Sequence, residues 1–244
     1  MDAGENKHKR YIKDFFVLLA VCHTVMPETD KKTGELKYQA SSPDELALVL
    51  GAAKMGFTFK KRTSSSVEIE LPTGERQVWE VLCEFPFDST RKRMSLIVRK
   101  PTGEYYLMTK GADSIMMPRI SIEKGAVQII QKHLDQFAID GLRTLVVGQK
   151  LLPESTVHEF MREFDAAKLS SGPEKEQRLN ELYDSMEMQL EMVGCTAIED
   201  KLQEGVPECI ATLLDADIRV WVLTGDKQVT YKVLLLRYRK LPLK

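Results

Sequence analysis

Between Glu84 and Asp113 the chain reads EFPFDSTRKRMSLIVRKPTGEYYLMTKGAD, and several of these side chains could act on a nucleotide. Phe87 offers an aromatic face, and a base stacked on such a ring contributes about 1–3 kcal/mol. Arg91, Lys92 and Arg93 follow as a run of cations suited to phosphate. Lys110 is a point charge at the end of a strand pattern, and Gly111 after it would let a ligand approach the backbone. Each feature has a plainer reading. Alternation would put Phe85 and Phe87 on one face, where both could be core. The cations could be a solvated turn, and Lys110-Gly111-Ala112-Asp113 an ordinary strand-to-helix turn capped by Asp113.

Further chemistry is offered elsewhere. Glu45 stands three residues after Ser42 in Ser42-Pro43-Asp44-Glu45, so a capping box explains it without any ligand. Arg143, after the plausible helix stop at Gly141, could reach a phosphate or simply be solvated. Thr224-Gly225-Asp226-Lys227 follows the apolar run Ile218–Leu223 (IRVWVL). That run is expected to be a parallel strand buried on both faces, with ligands gathering at its carboxyl end. A carboxylate there can hold Mg²⁺ together with phosphate oxygens.

Other chemistries are disfavoured. Gly51 and Gly56 have the spacing of a P-loop but continue Phe57-Thr58 rather than GK[ST]. Cys22, Cys83, Cys195 and Cys209 lack CxxC spacing, which argues against zinc and for buried free thiols in a reducing compartment. His8, His23, His133 and His158 have no partner at catalytic or metal spacing. The net charge of -1 provides no field for nucleic acid. No stretch approaches the roughly 18 apolar residues of a membrane span, and the amino terminus has no signal-peptide pattern, so a soluble, cytosolic chain is expected.

The elements that position these residues follow from periodicity. Helices are expected over 7–25, ended by Pro27, and over 42–55. Strands are expected over 57–71, 76–87, 94–99, 105–109 and 142–151. The tetrapeptides PTGE at 72–75 and 101–104 are tight turns, which makes the meander antiparallel. Residues 112–119 suggest a short helix, and 126–139, 153–169 and 174–192 longer ones. A strand over 193–198 and a helix over 206–214 then begin a different pattern, with a boundary near Met192.

Taken in order, YQASSPDE (38–45), FPFDSTRKRMS (85–95), KGAD (110–113), DGLRTL (140–145), TAIEDKLQEGVPE (196–208) and VLTGDK (222–227) resemble the cytosolic part of a P-type ATPase, most closely a type IV phospholipid flippase. The resemblance covers nearly the whole chain to Lys227. It implies an α+β fold: a nucleotide-binding domain with an antiparallel sheet and flanking helices over 1–192, with an amino-terminal linker helix. A truncated α/β phosphorylation domain would follow over 193–227, and an atypical tail over 228–244. Phe87 matches the phenylalanine that stacks on adenine, and Glu45 a glutamate near the base. Lys110 matches the lysine lining the ATP pocket, and Arg143 the arginine on phosphate. The same site extends to Ser89 and Thr144, while Thr224, Gly225 and Asp226 match the segment that meets the nucleotide when domains close.

ATP and Mg²⁺ are the implied cofactors. The parent would be an integral membrane enzyme whose partners are phospholipid, its own transmembrane domain and an accessory membrane subunit. The family's DKTGT aspartate, which becomes the aspartyl-phosphate, is absent; Asp30-Lys31-Lys32-Thr33-Gly34-Glu35 is only a turn. Residues 228–244 (QVTYKVLLLRYRKLPLK) replace the family's usual threonine-alanine helix. The chain alone is therefore expected to bind nucleotide without turnover. The rival expectation is a truncated, non-catalytic binding module or a poorly folded fragment.

Overall fold

Two turns set the sheet. Leu71 N–H donates to the Glu75 carbonyl at 2.8 Å, and Lys100 N–H to the Glu104 carbonyl at 2.8 Å. Gly74 (φ 82°) and Gly103 (φ 99°) take the left-handed conformation these reversals need. They join β4 (Ser66–Glu70) to β5 (Arg76–Phe85) and β6 (Arg93–Arg99) to β7 (Tyr105–Gly111). The expected single strand over 57–71 is instead a hairpin, β3 (Thr58–Arg62) and β4, closed where Thr63 N–H donates to the Ser66 carbonyl at 2.9 Å. Thr63-Ser64-Ser65 are short polar residues that favour a turn over continued alternation.

The computed structural model describes residues 3–29, 36–121, 124–199 and 204–221. The chain divides into one unit of Met1–Ile122 with Val146–Gly194 and another of Glu123–Leu145 with Cys195–Lys244. The large sheet, whose strands belong mainly to the first unit, is seven-stranded, in the order β3-β4-β5-β6-β7-β8-β9, where β8 is Arg143–Leu152 and β9 is Glu191–Ile198. Its pairings from β3 to β8 are all antiparallel. A small hairpin of β1 (Met26–Thr29) and β2 (Leu36–Gln39) forms a sheet of its own, joined to β3 where Tyr38 Oη donates to the Phe59 carbonyl at 2.6 Å.

Register fixes what each face carries. Phe85, Ser95, Thr109 and Gly148 lie across from one another, as do Glu84, Leu96, Met108 and Gln149 on the other face. Helices α5 (Glu154–Leu169) and α6 (Pro173–Met186) cover the first face. There the fully buried Phe85 ring stacks on Tyr183 at 4.3 Å and tilts against Phe160 at 5.3 Å. Helices α1 (Ala3–Val21) and α2 (Pro43–Lys54) cover the second. Gln149 donates to Asp14 at 3.0 Å, and the buried Cys22 thiol to the Met108 carbonyl at 3.6 Å. Burying a Phe or Leu side chain contributes about 1.5–3 kcal/mol, so both faces are needed.

Helix ends depart from expectation in instructive ways. α1 stops at Val21, well before Pro27, which lies within β1. His23 ends it: Nε2 bonds the Ala20 carbonyl at 2.9 Å while Nδ1 accepts Val25 N–H at 3.1 Å. The ring thereby supplies a donor to one of the helix's orphan carbonyls. α6 stops at Met186 rather than 192, and the next residues turn into β9. Of the cysteines, Cys22 and Cys83 are buried and Cys209 is exposed.

After the short α3 (Asp113–Met116) of the first unit comes α4 (Lys124–Ile139) of the second, which ends at Gly141 (φ 80°), with Leu142 N–H donating to the Phe137 carbonyl at 2.9 Å. A Gly in this conformation is the common helix stop. α7 (Val206–Asp215) is also there. The expected buried strand over 218–223 is corrected over its described part, 218–221. Residues 218–221 form no strand, Ile218 is half exposed and Trp221 is 81% exposed. An apolar run becomes a central strand only where neighbours bond both its edges, and among the described residues none pairs with it. Among the described residues no helix is long and apolar enough to cross a membrane.

Candidate functional site

Lys110 and Glu45 come together from opposite layers. Lys110 is the next-to-last residue of β7, opposite Met94 of β6, on the face that α1 and α2 cover. Glu45 lies in the first turn of α2, where Ser42 is the N-cap and Pro43 opens the helix. Ser42 Oγ accepts Glu45 N–H at 3.5 Å, which is half of a capping box. The reciprocal half is missing. The Glu45 carboxylate turns away and accepts from Lys110 Nζ at 2.8 Å, Thr24 Oγ1 at 2.6 Å and Thr24 N–H at 3.2 Å. Capping therefore accounts for the position of Glu45 but not for the direction of its side chain.

The pair is secluded, with side-chain exposures of 7% for Lys110 and 12% for Glu45. Burial by itself would raise the Glu45 carboxyl, but the charge and hydrogen bond of Lys110, with the two bonds from Thr24, hold it below its ordinary value. Burial pushes the neighbouring His23 imidazole down to about 3, and the charges of Lys110 and Arg62 act the same way. His23 is thus a neutral wall. Arg62 donates to the His23 carbonyl and, at 2.9 Å, to Glu84. Neither Thr24, His23 nor Arg62 announces itself in the sequence.

Phe87 behaves differently from Phe85. The strand ends at Phe85, because Pro86 has no N–H to continue the ladder, so the expected alternation stops there. Phe85 is fully buried and Phe87 is 64% exposed. Phe87 extends from the end of β5 that lies beside Ser95, and Ser95 adjoins Met94, the partner of Lys110. Ring and ammonium therefore belong to one end of the sheet. Ser89 is exposed in the turn that follows, where Asp88 Oδ1 accepts the N–H groups of Thr90 at 2.7 Å and Arg91 at 2.8 Å.

The basic run is corrected most. Arg91 and Arg93 are buried and do not face solvent. Both grip Glu187 of the α6 C-cap, each at 2.6 Å, and Glu187 is fully buried. Ser95 Oγ joins them at 2.6 Å, and Arg93 also pairs with Asp184. Of the three cations only Lys92 is exposed, with a left-handed φ of 51°. The glycine is corrected too. A Cβ on Gly111 would sit 2.5 Å from Arg93 Cβ and 2.8 Å from the Lys92 carbonyl, so it is β6, not a ligand, that approaches closely there.

Arg143 and Thr144 lie at the start of β8, half-buried, in the second unit. Thr224, Gly225 and Asp226 lie outside the described residues, as does the tail over 228–244. Among the described residues no group of His, Cys, Asp or Glu could hold a metal ion.

Residues 12–205 match the family model of the P-type ATPase, cytoplasmic domain N. The chain is 45% identical over 225 residues to phospholipid-transporting ATPase 10 of Arabidopsis thaliana, covering 90% of this chain and 19% of that one. It is 45% identical over 219 residues to phospholipid-transporting ATPase IC of Homo sapiens, covering 90% of this chain and 17% of that one. The chain thus spans less than a fifth of the relatives it matches.

Proposed function

Because the chain belongs to the P-type ATPases, as their cytoplasmic domain N, we propose that the end of the sheet carrying Phe87 and Lys110 binds ATP. The observation that carries this reading is a large aromatic ring left 64% exposed on a hydrogen-bonded turn, at the same sheet end as a buried lysine. Exposing a phenylalanine forfeits burial energy, so a base stacked on it would recover what the free protein gives up. Lys110 has three donors, and among the described residues its side chain bonds only Glu45. Phosphate oxygens would take the others. Glu45 and Thr24 hold the ammonium in place; Ser89, Arg143 and Thr144 are carried into the proposal by the family resemblance alone. In this reading Thr224, Gly225 and Asp226 join when the phosphorylation segment over 193–227 closes on the nucleotide, the domain boundary being near Met192.

In the whole parent, Mg²⁺ would neutralise charge on the phosphates while an aspartate accepts the γ-phosphoryl group in line. Relatives named as phospholipid-transporting ATPases support phospholipid as the cargo; a membrane domain and an accessory subunit as partners are part of the proposal. No DKTGT occurs in these 244 residues, so this polypeptide alone is proposed to bind without hydrolysing. Calorimetric titration with ATP tests the reading. Saturable binding, lost in Phe87→Ala and Lys110→Met variants that stay folded, is expected. Unchanged affinity in both variants, or hydrolysis well above background, would overturn it.

A further inference from the structure

Glu187 sits far from Phe87 in the chain, yet the geometry points to it as the residue that positions the Phe87 ring. This inference rests on the nucleotide reading above. Arg91 joins the two. Its Nη2 donates to Glu187 Oε1 at 2.6 Å and its Nη1 to the Pro86 carbonyl at 3.0 Å. One guanidinium therefore ties a buried carboxylate to the peptide that carries Phe87. From the other side Asp88 Oδ1 takes the Arg91 N–H at 2.8 Å, and the Asp88 carbonyl takes the Lys92 N–H at 2.8 Å. The 86–92 turn is pinned at both ends while its ring points outward.

Arg91 is itself held. Its guanidinium lies over the Tyr183 ring at 4.8 Å, and Arg93 Nη1 donates to the Arg91 carbonyl at 3.0 Å. Arg93 Nε takes the other Glu187 oxygen at 2.6 Å. Ser95 Oγ reaches Glu187 Oε1 at 2.6 Å and Thr109 Oγ1 at 2.9 Å. Glu187 thus receives three side-chain donors within a fully buried site. Both Glu187 oxygens are engaged, which stiffens the cluster even though Arg91 Nε is buried without a hydrogen-bond partner among the described residues; a buried Glu187 charge short of its partners would be costly. Replacing two buried arginines and a glutamate by apolar residues would fill the same space, so packing alone does not require them. What apolar residues could not do is grip the Pro86 carbonyl. Glu187 acts through Arg91 and touches no nucleotide; it is a positioning residue.

The test is a double-mutant cycle in the full 244-residue chain, with ATP as the probe. Glu187→Gln keeps the shape and removes the charge that holds Arg91. ATP affinity is expected to fall about five- to tenfold in the wild-type background and less than about twofold in Phe87→Ala. Equal losses in both backgrounds would mean a general structural role and would overturn the proposal. Amide exchange at Thr90, Arg91 and Lys92 is read in parallel and needs no ligand; protection there is expected to drop in Glu187→Gln. Unchanged protection also overturns the proposal, whatever ATP does. Should Glu187→Gln not fold, Glu187→Asp keeps the charge but shortens its reach, and the same two readouts decide. If the wild type binds no ATP, the nucleotide reading fails, and the exchange result alone decides whether Glu187 holds the turn.

Discussion

Lys110→Met is expected to reverse the sign of a pH dependence. The substitution keeps an unbranched chain in place and removes the charge facing Glu45. The pair is 2.8 Å apart and nearly excluded from water. Removing one partner of a buried pair costs about 3–5 kcal/mol. The two Thr24 bonds to Glu45 survive and offset part of it, leaving about 2–4 kcal/mol near neutral pH. At about 2–4 °C per kcal/mol for a domain of this size, the melting temperature falls by about 5–15 °C. In the wild type the Glu45 carboxyl is held below its ordinary value. Its contribution is present above the unfolded pKa of about 4.3 and is lost as pH falls through the folded value. Without Lys110, burial becomes the main influence and raises the carboxyl instead. Its contribution then holds below the unfolded pKa and is lost as pH rises through the raised one. The stability gap between the two proteins should therefore be widest near neutral pH and shrink towards about pH 4. Urea unfolding at a series of pH values measures it. A gap that stays constant with pH would refute the reasoning.

Phe87→Ala should weaken ATP binding by about five- to 150-fold, the range of stacking energies, while unfolding shifts by less than about 0.5 kcal/mol because the ring is exposed; calorimetry and thermal melts check both. Gly111→Ala should destabilise by about 1–3 kcal/mol through the clash with Arg93 and the Lys92 carbonyl, read by denaturant midpoint. Under native conditions a thiol reagent should modify Cys209, which is exposed, and spare Cys22 and Cys83, which burial pushes up to about 12; mass spectrometry of digests counts the labels.

Local signals were legible where the physics is local. The PTGE turns, the Ser42-Pro43 helix start and the Gly141 stop follow from φ preferences and caps within a few residues, and each stands where expected. The antiparallel sheet with flanking helices follows from the same signals. What depends on distant partners was not legible. A cationic run reads as a phosphate cradle until Glu187, more than ninety residues on, is seen to occupy it. Glu187 itself was hidden by a helical pattern that extended α6 past its real end. Glu45 reads as a capping residue because nothing in its own segment reports Thr24 or Lys110. The apolar residues at 218–221 form no strand, which shows that hydrophobicity names a strand only where edges exist to receive it.

From β4 to β9, every strand of the large sheet lies beside the one that precedes it in the chain. Growth of the sheet can therefore keep pace with translation. β3 to β7 can zip up as successive hairpins, closing short loops at small entropic cost. The chain must then thread two helical excursions before β8 and β9 arrive, and meanwhile the unpaired rim of β7 is open to pairing with another nascent copy. Synthesis speed between β7 and β8, across α4, would set how long that window lasts.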